Sequence, residues 1–109
     1  MNIEIRNEAQ TAIVSLEGDV DLESSPTVRT ALLDCVGRKQ AVVVDMSAVS
    51  YIDSSGVASL VEAFQAARKS KSRFVLARVS DAALRVLELA RLDKVFTIIA
   101  DVEDALSDG

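Results

Sequence analysis

Asp45-Met46-Ser47-Ala48-Val49-Ser50-Tyr51-Ile52-Asp53-Ser54-Ser55-Gly56-Val57-Ala58-Ser59-Leu60 decides how the rest of the chain is read. Just ahead of it, residues 41–44 are a β-branched run that ends in Asp45 and suits a fully covered strand. Residues 46–50 then mix small polar and apolar side chains and read as a turn, after which Tyr51 and Ile52 restore some burial. From Val57 onward, Val57, Leu60, Val61, Phe64 and Ala67 follow helical spacing, so a helix is predicted to begin between Asp53 and Ser55. Asp and Ser are favoured helix caps because their oxygens accept from N–H groups that have no partner inside the helix. One cap needs one such residue. Here a carboxylate and two hydroxyls crowd one turn, so at least one hydroxyl is expected to face solvent, although capping alone accounts for an arbitrary Asp-Ser-Ser-Gly. Gly56 permits another surface to come close. The orphan N–H groups and the positive end of the helix dipole suit a negative group, and a phosphate is expected to be tolerated there.

Working outward, Ile3 and Ile5 alternate with Glu4 and Arg6, and Ala12, Val14 and Leu16 continue the alternation after a turn-like segment at 7–10. These two runs predict a hairpin. Residues 18–23 are polar and acidic; Ser24 or Ser25 then caps a helix with Pro26 at its first position and Val28, Leu32, Leu33 and Val36 as its buried stripe. Gly37 reads as the C-cap, with Arg38 and Lys39 complementing the negative end of the dipole, as Arg68, Lys69, Lys71 and Arg73 do for the next helix. Residues 74–77 form a short apolar strand. Ser80 or Asp81 caps a third helix with Ala83, Leu84, Leu87 and Ala90 on its inner face. Residues 96–99 form a last strand, Asp101 caps a short helix holding Val102, Ala105 and Leu106, and residues 107–109 are expected to fray.

This order predicts a single α/β domain spanning residues 1–109, with a mixed, largely parallel sheet, an antiparallel hairpin strand at its N-terminal edge and helices packed against it. In such sheets the turns after the strands collect on one rim. Residues 16–21 and 45–55 are read as two of these turns, which places Asp19 and Asp21 near Ser54.

The composition narrows the function. With 109 residues the chain suits one compact domain, and at 50% hydrophobic but 4% aromatic its core is built from Val, Leu, Ile and Ala. Twelve basic residues against 17 acidic ones give a net charge of -5, which disfavours nucleic acid and anionic lipid and favours a partner with a basic contact surface. Residues 1–10 carry Glu4, Arg6 and Glu8 instead of an apolar leader, and no apolar run approaches the roughly 18 residues of a membrane span, so a cytoplasmic protein is expected. The lone Cys35 permits no internal disulfide and reads as a small buried hydrophobe. Without histidine no Ser-His-Asp triad can form, and Gly18, Gly37, Gly56 and Gly109 make neither a phosphate-binding loop nor a dinucleotide fingerprint. Asp45 and Asp53 are read as capping residues in preference to metal ligands. A binding module without cofactor or metal is expected; an unorthodox enzyme would need a closed cavity ringed by Asp45, Asp53 and Ser54.

The segment from Asp45 to Val57 resembles the signature of bacterial anti-sigma factor antagonists, which are small STAS domain proteins. Gly18-Asp19-Val20-Asp21 and Leu92-Asp93-Lys94-Val95-Phe96 match the same family in order and spacing, so the likeness spans nearly the whole chain. Two departures stand out: Arg91 occupies a position where the family commonly has glycine, and Val57 one where leucine is frequent. The resemblance implies a STAS-like single domain with Ser54 as phosphoacceptor. Asp53 would orient that hydroxyl, Ser55 and Gly56 would shape the contact turn, and Asp21 and Tyr51 are further candidates for partner contact. Tyr51 suits equally a packing role ahead of the helix. By the same resemblance, the unmodified protein binds an anti-sigma factor that is a serine kinase and so frees a sigma factor. ATP and magnesium belong to that kinase, phosphorylation of Ser54 ends binding, and a serine phosphatase restores it. The alternative implied is a STAS regulatory subunit of a transporter ATPase or a stress-signalling scaffold, with the serine turn as contact surface and no phosphate cycle.

Overall fold

The computed structural model describes residues 1–107, Ser107 through its backbone alone, so the fraying expected for the last residues lies outside the described part. The elements run β1 (Asn2–Glu8), β2 (Thr11–Val20), α1 (Ser25–Gly37), β3 (Ala41–Ile52), α2 (Ser54–Lys69), β4 (Phe74–Ala77), α3 (Asp81–Leu89), β5 (Thr97–Ile99) and α4 (Val102–Ser107). The five strands lie side by side in sequence order, β1 antiparallel to β2 and every later pair parallel. The predicted architecture is therefore the observed one. The β1–β2 hairpin turns on Ala9 and Gln10 with φ of 50° and 67°, the doubly left-handed pair that matches the twist of its strands.

Strand alternation sorts the core into two layers. Ala12, Val14 and Leu16 of β2, Val42, Val44 and Met46 of β3, and Phe74 and Leu76 of β4 face α1, α2 and α3, which contribute Val28, Leu32, Leu60, Ala63, Ala83 and Leu87. Intervening positions Ile13, Val43, Val75 and Ala77 bury Val102 and Ala105 of α4 against the opposite face. All three phenylalanines of the chain meet at the far end of the larger layer, with Phe64 edge-on to Phe74 and Phe96 at 6.2 and 5.2 Å between ring centroids.

Four expectations are corrected. Of the segments read as turns, residues 16–20 and 45–52 are strand, because β2 and β3 stay paired as far as Val20↔Ile52. Their register slips between Ser15 and Glu17 and again between Gly18 and Asp19, the second slip at a glycine with φ of 100°. Met46, Val49 and Ile52 are consequently all buried at a spacing of three, which hides a strand from any period-two reading. Next, α1 ends on Arg38 as its cap; Gly37 is still helical, and the left-handed residue is Lys39 at φ 61°. Ala90 lies exposed past the end of α3, while Val86 packs inward. Phe96 is buried but precedes β5.

Lys39, Lys71 and Arg91 all adopt φ near 60° (61°, 57° and 60°) directly after helices α1, α2 and α3. In each case the next N–H reaches back into the helix: Gln40 to Cys35 O, Ser72 to Ala67 O and Leu92 to Leu87 O, at 3.3, 2.8 and 2.8 Å. These are Schellman closures, where glycine is usual. A side chain in this conformation costs about 1 kcal/mol, and a cation at the negative end of a helix offsets about 0.3–1 kcal/mol of that. Arg91 thus keeps the turn geometry that glycine would adopt, with its charge as partial compensation.

On the α4 side of the sheet, Asp45 is only 9% exposed and receives two bonds from Arg78, Nη2 to Oδ2 at 2.8 Å and Nε to Oδ1 at 3.3 Å. The Ser47 N–H adds a third at 3.1 Å. Burial pushes the Asp45 carboxyl upward, but the Arg78 and Ser47 bonds outweigh it and hold the group below the ordinary carboxylate range. Because the folded-state pKa is depressed, this stabilisation is complete above the unfolded value and is lost as pH falls through the folded one. Asp45→Asn is expected to cost about 1–2 kcal/mol near neutrality. The gap to the parent should narrow below about pH 4. Urea denaturation at the two acidities measures this, and a difference independent of pH would contradict it.

Candidate functional site

The rim at the C-terminal ends of β2 and β3 is tied together by backbone contacts. Asp53 N–H donates to Val20 O at 3.2 Å, which pins the start of α2 to the end of β2. A Cβ on Gly56 would lie 2.5 Å from Val20 O and 2.7 Å from side-chain atoms of Val20 and Ile52, so the first turn of α2 rests directly on the strand ends. Glycine is required here by space, since its backbone is ordinary helix.

Asp53 is the cap of α2. Its Oδ1 accepts from the N–H groups of Ser55 at 2.9 Å and Gly56 at 3.1 Å, and its carbonyl accepts from Val57 at 2.9 Å. Ser54 is therefore relieved of capping: it is exposed, and its hydroxyl makes no hydrogen bond among the described residues. Ser55 is half-buried. Below it, the buried Ser59 hydroxyl sits 3.2 Å from Ser55 O and 3.0 Å from Ser25 O, joining the first turns of α2 and α1. The expectation that the helix N–H groups are available to cradle a phosphate is corrected, because the Asp53 carboxylate already holds the two at Ser55 and Gly56. A phosphate on Ser54 would stand beside that carboxylate and project toward solvent.

Asp21 is used structurally. Its Oδ1 accepts from the N–H groups of Ser24 at 3.0 Å and Glu23 at 3.1 Å, and the Ser24 hydroxyl lies 3.1 Å away. Led by the Ser24 N–H, these bonds hold the Asp21 carboxyl below its usual range. The Ser24 oxygen in turn accepts from Asp21 N–H at 3.0 Å and lies 2.8 Å from Asp19 O, so Ser24 closes the loop in place of capping α1 through its side chain. Asp21, Tyr51 and Asp53 line one shallow depression together with Leu22 and Glu23. Asp19 is exposed and pairs with Tyr51 across β2 and β3. Asp19 and Asp21 thus lie on the rim with Tyr51 and with Asp53, the residue before Ser54, while Ser54 itself lines a separate depression with Val57, Ala58, Val61, Glu62 and Gln65.

Tyr51 is 51% exposed, which does not fit the packing role ahead of the helix, and it lines the same depression as Leu22, which is 74% exposed. Sequence reasoning missed Leu22. The available signal was one large aliphatic residue inside an otherwise acidic segment, Asp19-Val20-Asp21-Leu22-Glu23. Asp45 does not join this site: it lies in a separate depression with Ser47 and Arg78, so Asp45, Asp53 and Ser54 ring no cavity. Among the described residues no group of three or more acidic, cysteine or histidine side chains is placed to hold a metal ion, and no helix is long and apolar enough to cross a membrane.

The STAS domain family model matches residues 2–105. The anti-sigma-B factor antagonist of Listeria monocytogenes is 32% identical over 101 residues, covering 90% of this chain and 88% of that protein. Among solved structures, an anti-sigma factor antagonist from Mycobacterium paratuberculosis superposes with a TM-score of 0.88 at 26% identity, covering 98% of this chain and 92% of that one. The anti-sigma factor antagonist SpoIIAA shares the fold at 17% identity, with TM-scores of 0.84 for its unphosphorylated form and 0.77 for the Bacillus protein in its phosphorylated form; coverage of both chains is 98% and 95%, and 98% and 98%, respectively. An α/β sheet in this order, a glycine-seated helix start and relatives of this likeness lead to one conclusion: the chain belongs to the STAS domain family, alongside the bacterial anti-sigma factor antagonists.

Proposed function

We propose that the protein is an anti-sigma factor antagonist whose unmodified form binds an anti-sigma factor with serine kinase activity and so releases a sigma factor. The observation that carries this reading is the division of labour at the start of α2: Asp53 caps, and Ser54 presents an uncommitted hydroxyl. The names of the relatives support the antagonist role, and SpoIIAA is a fold neighbour that exists in a phosphorylated form. The docking surface in this reading is Leu22 and Tyr51 fenced by Asp21, Glu23 and Asp53, with Ser55 and Gly56 holding the turn in shape. Such a surface fits a partner whose contact face is apolar at its centre and basic at its margin. The kinase supplies ATP and magnesium, transfers the terminal phosphoryl group to Ser54 and loses its grip on the product; a serine phosphatase returns the protein to its binding state. All of this takes place in the cytoplasm.

The assignment is tested by incubating the protein with its anti-sigma kinase and magnesium ATP and mapping phosphate by mass spectrometry. Label is expected on Ser54, retained in Ser55→Ala and absent from Ser54→Ala. Undiminished labelling of Ser54→Ala would refute it.

A further inference from the structure

We propose that the outer edge of β1 is a homodimerisation surface that pairs with β1 of a second copy, antiparallel and centred on Ile5. The sheet has two edges. One is β5, three residues long; the other is β1, seven residues long and paired to β2 without a register break from Asn2↔Glu17 to Glu8↔Thr11. Edge strands are usually protected by brevity, a bulge, proline or charged side chains, lysine above all. β1, Asn-Ile-Glu-Ile-Arg-Asn-Glu, is long, unbulged and without proline or lysine; its charges, Glu4, Arg6 and Glu8, are of both signs, and its large aliphatic Ile5 is 47% exposed.

The charges on that strand select one pairing. A two-fold axis perpendicular to the sheet leaves every side chain on its own face, so only residues on the same face of the strand can oppose each other. Centring on Glu4 sets Glu4 against itself. Centring on Arg6 sets Arg6 against itself and Glu4 against Glu8. Centring on Ile5 sets Glu4 against Arg6 twice, Ile5 against Ile5, Ile3 against Asn7 and Asn2 against Glu8, using the whole strand. Opposed side chains in such pairs sit about 5 Å apart, close enough for the isoleucine contact and for both ion pairs, with Arg6 exchanging or sharing its exposed 3.5 Å pairing to Glu8 of its own strand. Glu4 and Arg6 lie on the face away from α1, α2 and α3, where α4 packs over β3 and β5; Ile3 and Ile5 lie on the face of α1, α2 and α3. Because the two copies run antiparallel, their Ser54 rims point to opposite ends of a ten-stranded sheet, twice the five strands of one copy, and both stay open. The dimer accordingly stands independently of the proposed phosphate switch.

Sedimentation equilibrium of the full chain over micromolar to millimolar concentrations tests this. The parent's mass should climb from 11.7 kDa toward twice that value. Glu4→Arg and Arg6→Glu, each placing like charges opposite one another, should both remain monomeric with unchanged circular dichroism. An equimolar mixture of the two variants should regain the dimer, since the introduced arginine then opposes the introduced glutamate, and the native Arg6 of one chain opposes the native Glu4 of the other. A parent that stays at monomer mass, single variants that still dimerise, or a mixture that stays monomeric would each overturn the proposal.

Discussion

Gly56→Ala is expected to destabilise the domain by about 2 kcal/mol. Helix propensity alone predicts the reverse, since alanine in a helix is favoured over glycine by about 1 kcal/mol. The steric term wins because the nearest obstacle is the carbonyl oxygen of Val20, 2.5 Å from the added carbon, and that oxygen is held by Asp53 N–H. Neither the end of β2 nor the start of α2 can retreat without breaking the bond that aligns the rim. Gly37 is the internal control: also helical, it has nothing within 4 Å of a new Cβ, so Gly37→Ala should stabilise by about 0.5–1 kcal/mol. Urea midpoints that shift in opposite directions for the two variants are the expected outcome, and shifts of the same sign would contradict the steric account.

Ser54→Asp is expected to weaken binding to the anti-sigma kinase at least tenfold, about 1.4 kcal/mol. The new carboxylate would stand beside Asp53, whose charge is already spent on the Ser55 and Gly56 N–H groups, so nothing in the first turn of α2 neutralises it. Its cost is therefore felt in the complex, as repulsion and desolvation next to the depression that Asp53 shares with Asp21 and Glu23. Ser54→Asn carries similar bulk without the charge and should bind within a few-fold of the parent. Calorimetric titration distinguishes the cases; equal losses for Asn and Asp would point to shape instead of charge.

The architecture was legible because each helix announces itself locally. Pro26 opens α1, Ser80 caps α3 with its hydroxyl 3.3 Å from Ala83 N, and the apolar spacing from Val57 to Ala67 marks α2. The far halves of β2 and β3 were not legible, since two register slips replace alternation by burial at Met46, Val49 and Ile52. Nor could spacing show that glycine is not the helix terminator here: three basic residues hold the left-handed turns, a choice set by the chain path and softened by the dipole.

At the site, the resemblance carried the identities of Ser54 and Asp53, and local capping rules carried the helix start. Which of three polar residues caps depends on backbone direction at Asp53, extended at φ -110° and ψ -173°, which no composition rule encodes. Asp21 shows the opposite limit. Its position beside Tyr51 and Asp53 was foreseeable from strand order, whereas its engagement by Ser24 and Glu23 follows from a tight loop that only coordinates reveal.

The decisive measurement is the affinity of the anti-sigma kinase for the protein before and after stoichiometric phosphorylation at Ser54, each determined by calorimetry on the folded chain. The account predicts tight binding of the unmodified protein and a loss of tenfold or more once the dianion stands beside Asp53. Equal affinity of the two forms would contradict it.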